Sequence, residues 1–223
     1  MPGWLQTLAG IYVPFSLASA LLVLADIFLL GRRQHMWIME AVWPLTILYW
    51  GPAGLPFYAW FGRGMPQHQA HPARHDDPPM WQAAFKGATH CGAGCALGDF
   101  IGDWIAFAAG FALLGSELGG KFLLGFVLAY LFGILFQYFS VAPMRGLDLR
   151  EGLITAIKID TLSLLAYEVG MFAWMAFRTW LLPGLHPASW TYWFMMQIAM
   201  LAGFATTYPV NWWLIRRGTK EAM

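Results

Sequence analysis

The sequence predicts an all-α protein, a polytopic membrane bundle of about six transmembrane helices. Three observations carry that prediction. Of the 223 residues, 59% are hydrophobic and 11% are charged, and the mean hydropathy is +0.53. So few polar side chains cannot solvate a globule of this size. The apolar residues also gather into long runs, and a spanning helix needs about 20 of them. Finally, Met1-Pro2-Gly3-Trp4 has no basic region and no short apolar stretch ending in a cleavage site, so the first run is expected to be retained as a helix.

Taken in order, the spans are expected at residues 4–30, 37–61, 81–114, 122–141, 153–182 and 190–215. The third and fifth exceed the length needed, which predicts tilt or a turn or two outside the hydrocarbon. The second is interrupted by Pro44, Gly51, Pro52, Gly54 and Pro56. Each proline removes a backbone donor that the bundle must replace, so this segment is expected to be kinked, broken or re-entrant. Residues 63–80 form the substantial hydrophilic connection, with four prolines among His68, His71, His75, Asp76 and Asp77. They read as an irregular exposed loop. Its histidines are expected to be solvated or near lipid headgroups rather than ligating, because a proline-rich loop offers no fixed ligand geometry. The chain thus divides into two N-terminal segments with the loop (1–80) and a four-helix core (81–223).

Six crossings place both termini on one side, and the bias in basic residues selects it. Arg63, Arg74, Lys86, Arg145, Arg150, Arg216, Arg217 and Lys220 then lie inside, against Arg32, Arg33 and Lys121 outside. The expected location is a bacterial or archaeal cytoplasmic membrane with cytoplasmic termini. The Arg32-Arg33 pair stands against this arrangement and fits better if the first or second segment fails to cross. A net charge of +1 argues against nucleic acid, whose binding needs a concentrated basic surface. The expected partners are the lipid bilayer, a metal ion, and other membrane subunits or a second copy of the chain.

The candidate chemistry begins at Thr89-His90-Cys91-Gly92-Ala93-Gly94-Cys95, which holds both cysteines of the chain and leads on to Asp99 and Asp103. Ionisable groups inside a membrane segment are expensive and usually have a role. At 100° per residue, Cys91, Cys95, Asp99 and Asp103 form a slowly drifting stripe, with His90 about 100° to one side. Thiols at i, i+4 have β-carbons roughly 5–6 Å apart, beyond the 3.5–4.5 Å that a disulfide prefers, so a shared metal fits the spacing better. Thiolate and thioether ligands select Cu(I), with zinc as the competitor. His90, Cys91 and Cys95 are the candidate primary ligands, and Met196 and Met200 the secondary ones. Packing is the rival reading. Gly87, Cys91, Gly94, Gly98 and Gly102 also share one face, which suits a close helix crossing.

The fifth segment places Asp160, Glu168, Met171, Met175 and Arg178 on one arc, expected to point inward. Asp99, Asp103, Asp160 and Glu168 are the candidates for balancing charge or carrying protons. In the sixth, Tyr192, Met196, Met200, Gly203, Thr207 and Asn211 make another stripe. Phosphate-loop, nucleophile-elbow and His-Glu-x-x-His patterns do not occur, so no catalytic residue is assigned.

From about Trp81 onward the chain resembles a family of bacterial and archaeal integral membrane proteins known as a domain of unknown function. The resemblance rests on Ala88-Thr89-His90-Cys91-Gly92-x-Gly94-Cys95-x-Leu97-Gly98-Asp99, on Lys158-x-Asp160-x-Leu162-Ser163-Leu164 with Glu168-Val169-Gly170-Met171, and on Tyr192-Trp193-Phe194-Met195-Met196-Gln197 with Tyr208-Pro209-Val210-Asn211-Trp212-Trp213-Leu214. It implies fold and membrane location, not mechanism. The leading expectation for function is binding of a soft transition metal, Cu(I), for transport or delivery. Membrane thiol redox through Cys91 and Cys95 and a non-catalytic membrane subunit are the alternatives.

Overall fold

A computed structural model describes residues 2–34, 36–64 and 78–221; the loop of His68, His71 and His75 lies outside them. The described residues are helical, in six helices: α1 (Gly3–Phe28), α2 (Met39–Trp50), α3 (Met80–Ala109), α4 (Glu117–Arg145), α5 (Leu149–Leu181) and α6 (Trp190–Arg216). Local chemistry sets the breaks. Ser116, Asp148 and Ser189 cap α4, α5 and α6 by accepting from the N–H groups of Gly119, Glu151 and Tyr192, donors that a first helical turn leaves free. Gly110 and Gly146 close α3 and α4 in the left-handed region, where glycine carries no Cβ penalty.

By length and composition α1 and α4 are apolar enough to cross a membrane. The other long helices, α3, α5 and α6, turn their polar residues inward. Glu168 is 2% exposed while its neighbour Val169 is 67% exposed. Across the bundle, Asp99, Asp103, Asp160, Arg178 and Lys220 are buried, while Phe100, Leu131, Leu165, Trp180 and Trp213 face outward.

The second segment does not run the length of the bundle. Helix α2 has 12 residues, about 18 Å at the usual rise. The chain then doubles back through a 3₁₀ turn (Gly51–Gly54), a three-residue helical turn (Leu55–Phe57) and a π-turn (Tyr58–Gly62). Hydrogen bonds fix both ends. At the start, Glu40 accepts from Arg33 Nε at 2.8 Å; at the finish, Arg63 and Tyr58 both donate to Asp26, and Gly64 packs on the carbonyls of Arg32 and Arg33. The apex lies deeper, where Trp50 O accepts from Tyr12 Oη at 2.9 Å. Tyr12 and Asp26 are separated by about 21 Å along α1. Segment 37–61 is therefore a hairpin reaching half the depth of the bundle, the re-entrant form among those expected of this interrupted segment, rather than a sixth full-length helix. The cause is Gly51, at φ 61°, followed by Pro52, which cannot continue the ladder of α2.

Helices α3 and α4 meet along a run of small residues. A Cβ on Gly94 would stand 2.7 Å from Gly133 Cα, and one on Gly98 or Gly102 would overlap the backbone at Ala129 or Gly125. A four-residue repeat on one helix thus faces a four-residue repeat on the other, and the backbones approach closely. The packing reading of the glycine stripe holds for these three residues. Gly87 instead lies under Asn211 of α6.

Candidate functional site

The inward faces of α3, α5 and α6 build a column of polar groups. Cys91 and Cys95 are free thiols, fully buried one turn apart. Two tyrosine hydroxyls converge on the turn between them. A Cβ at Gly92 would stand 2.6 Å from Tyr49 Oη and 3.1 Å from Tyr167 Oη, so glycine is needed there for close approach rather than for an unusual backbone angle. Tyr49 belongs to α2, one residue before its C-terminus. The half-depth helix therefore ends beside the cysteine pair, and a helix C-terminus carries the negative end of the macrodipole.

Beyond Cys95 the column continues through carboxylates. Glu168 of α5 lies beside the Cys95 thiol, yet neither of its oxygens has a hydrogen-bond partner of normal geometry among the described residues. Asp99, one turn further along α3, neighbours both Glu168 and Asp103. Its Oδ1 occupies the space left by the missing side chain of Gly125. Asp103 accepts from Tyr192 Oη at 2.5 Å. The Tyr192 ring in turn is flanked by Arg178 and Lys121, at 4.9 and 5.0 Å from its centroid. Past Lys121 a cavity of about 290 Å³ opens, lined by Ala106, Phe107, Glu117, Lys121 and His186 among others.

In the other direction His90 is turned toward α4, with Nε2 3.4 Å from Ser140 Oγ and its ring edge-on to Phe136. The charged groups near it are Asp160 and Lys220. These two form an ion pair with Nζ 2.8 Å from Oδ1, both side chains fully enclosed. From His90 to Asp103 the column extends about 20 Å along α3.

Residues 80–220 match the family described as a domain of unknown function (DUF4396). The chain belongs to this family. No curated protein and no solved structure matches it. The DUF4396 region spans α3 to α6 and thus supplies every column residue except Tyr49.

Within this DUF4396 bundle the expected site residues divide. Cys91, Cys95, Asp99, Asp103 and Glu168 lie in sequence along the column. His90 points to its α4 side, and Asp160 lies near both that histidine and Cys91. Met196 and Met200 are buried on α6 in the same core as the cysteines. Among the described residues no group of three or more His, Cys, Asp and Glu side chains stands in a metal-holding arrangement, so the ligands expected from the sequence do not form a closed cage. Arg178 reaches Tyr192 and Met175 Sδ rather than Glu168. Tyr49, Tyr167, Ser140 and Lys220 were not legible as site residues. Of these, Tyr49 had a signal, its place just before the Gly51-Pro52 break.

Asn211 and Thr207 have a structural account. Thr207 Oγ1 donates to Ser163 O at 2.7 Å, Ser163 Oγ donates to Asn211 Oδ1, and Asn211 Nδ2 donates back to Thr207. These bonds tie α6 to α5, and Gly203 packs on Tyr167 O.

Proposed function

We propose that this chain is a polytopic membrane protein whose buried column binds and passes a soft cation, Cu(I), with Cys91 and Cys95 as the selective step. Helices α1, α3, α4, α5 and α6 cross the bilayer, and α2 with its return limb enters to half depth. The inside-out distribution supports the membrane assignment, because burying ionisable groups while exposing Leu, Val and Trp suits lipid and not water. With one half-crossing, Arg32, Arg33, Arg63, Lys86, Arg145, Arg150, Arg216 and Arg217 gather on one face, against Lys121 and Arg178 toward the other. That face is cytoplasmic by charge bias, in a cytoplasmic membrane, and the Gly3 end of α1 is external. The revised count thereby resolves the misfit of Arg32 and Arg33 and separates the two ends of the chain.

The observation that carries the reading is the pair of enclosed thiols beside the carboxylate of Glu168 at the level where α2 ends. Cu(I) is satisfied by two soft thiolates and does not require a four-ligand cage. Burying a carboxylate without a counter-charge costs several kcal/mol, so Glu168 and Asp99 call for a cation or a proton. A broken helix ending at mid-depth directs its negative end toward such a cation, as in transporters built on discontinuous helices. Full enclosure of both thiols disfavours thiol exchange, which requires access by the attacking sulfur.

The test is metal content. Protein purified in detergent and loaded with Cu(I) under reducing conditions should retain copper in preference to zinc. Cys91→Ala/Cys95→Ala should fold normally, alanine being small enough for the crossing, and lose the copper. Equal copper in wild type and variant would leave the cysteines as packing residues and end the proposal.

A further inference from the structure

Lys220 returns to the interior of the bundle from beyond the end of α6. Gly218, at φ 68°, reverses the chain, and the N–H groups of Thr219 and Lys220 both bond to Leu214 O, at 3.0 and 3.3 Å. The lysine is then aimed inward, and its ammonium meets Asp160 in complete enclosure. The tail is held a second time at the surface, where Arg145 Nε donates to Glu221 Oε1 at 2.8 Å between half-exposed side chains. Asp160 Oδ2 and His90 Nδ1 have no hydrogen-bond partner among the described residues, so the lysine satisfies only part of this polar set.

We propose that Asp160 is a cation-binding position at the C-terminal mouth of the column and that Lys220 is a tethered cation filling it. The tail acts as the gate. An isolated lysine buried for stability alone is a poor choice, because a well-packed apolar pair is often as stable as an enclosed ion pair. Lys220 lies beyond Gly218, outside the helical ladder of α6, and so differs from a core lysine in one respect: it can leave. A narrow cleft lined by Gln137, Ser140, Met144, Ile159 and Glu221 opens beside it, and Ser140 connects that cleft to His90 and so to Cys91. With the ammonium withdrawn, a cation arriving from this face finds the same carboxylate, then the imidazole, then the thiols. This gate rests on the proposed cation pathway, but its test does not use copper.

The readout is the reaction of Cys91 and Cys95 with N-ethylmaleimide added from the face that bears the C-terminus. Wild type should label slowly. Asp160→Asn/Lys220→Gln, which removes both charges and strands neither, should label about tenfold faster or more as the local opening becomes populated. Lys220→Arg should remain slow. Should the core variant fail to fold, Arg145→Ala/Glu221→Ala loosens the tail without touching the core and should also label faster. Wild-type rates in whichever of these variants folds overturn the gate. Unchanged labelling with copper retained refutes the gate alone, and faster labelling without copper binding refutes the metal reading alone.

Discussion

Arg63 and Asp26 are hydrogen-bonded to one another, although 36 residues lie between them and the chain travels inward and back before they meet. That contact places the end of the second segment at the level where α1 finishes. In the proposed topology it also converts an even number of crossings into an odd one.

The first prediction follows. Reporter fusions before Gly3 and after Glu221 should give opposite signals, external at the first and cytoplasmic at the second, as the gathered basic residues require. Matching signals would restore six full crossings and remove the half-depth hairpin. Arg63→Ala should destabilise the protein by an amount typical of leaving a partly enclosed carboxylate short of its partner, about 1–3 kcal/mol, read as a lower thermal midpoint in detergent.

Gly98 tests the close approach of α3 and α4. Gly98→Leu should prevent assembly, and Gly98→Ala should destabilise by about 1–3 kcal/mol, as overpacking generally does, because its Cβ meets the Ala129 backbone. Gly10 on α1 has nothing within 4 Å of a built Cβ, so Gly10→Ala should be neutral or stabilising by up to about 1 kcal/mol. Similar losses at both positions would show that helix propensity and tight packing had been confused.

Glu168 separates stability from function. Among the described residues its oxygens have no hydrogen-bond partner of normal geometry, the Cys95 thiol lying beside them, so Glu168→Leu should fold at least as well as wild type, since removing an uncompensated buried acid is often stabilising. Copper retention should nevertheless fall, and fall also in Glu168→Gln. Measured thermal midpoints beside copper content decide the matter: full copper in both variants makes Glu168 incidental to the cation.

Much of the frame was legible because hydropathy runs and helix breakers act locally. The span expected at 190–215 and the helix Trp190–Arg216 agree nearly to the residue, since Ser189 caps one end and basic residues close the other. The hairpin was legible as one of three forms, re-entrant beside kinked and broken. Prolines and glycines mark where a ladder fails, but whether the chain then continues or returns depends on Asp26 holding Arg63, a contact between distant residues. The glycine and cysteine stripe supported two readings, and the structure divides it by angle: Gly94, Gly98 and Gly102 take α4, while Cys91 and Cys95 turn toward α5 and α2. The Lys220–Asp160 pair had no sequence signal. A lysine among polar tail residues has the composition of a solvated end, and nothing periodic links it to a partner 60 positions earlier.

The placement of Tyr49 has a consequence for design. The family region begins at Met80, yet one wall of the cysteine turn is contributed by a tyrosine 31 positions upstream of it. A fragment cut to the four helices α3 to α6 would keep both thiols but uncover the flank that Tyr49 closes, so it should be treated as an unlidded vessel rather than a minimal version of the protein. The hairpin is in that sense an exchangeable stopper, and grafting a different one onto the same four helices offers a way to change what surrounds the thiols without altering the thiols themselves.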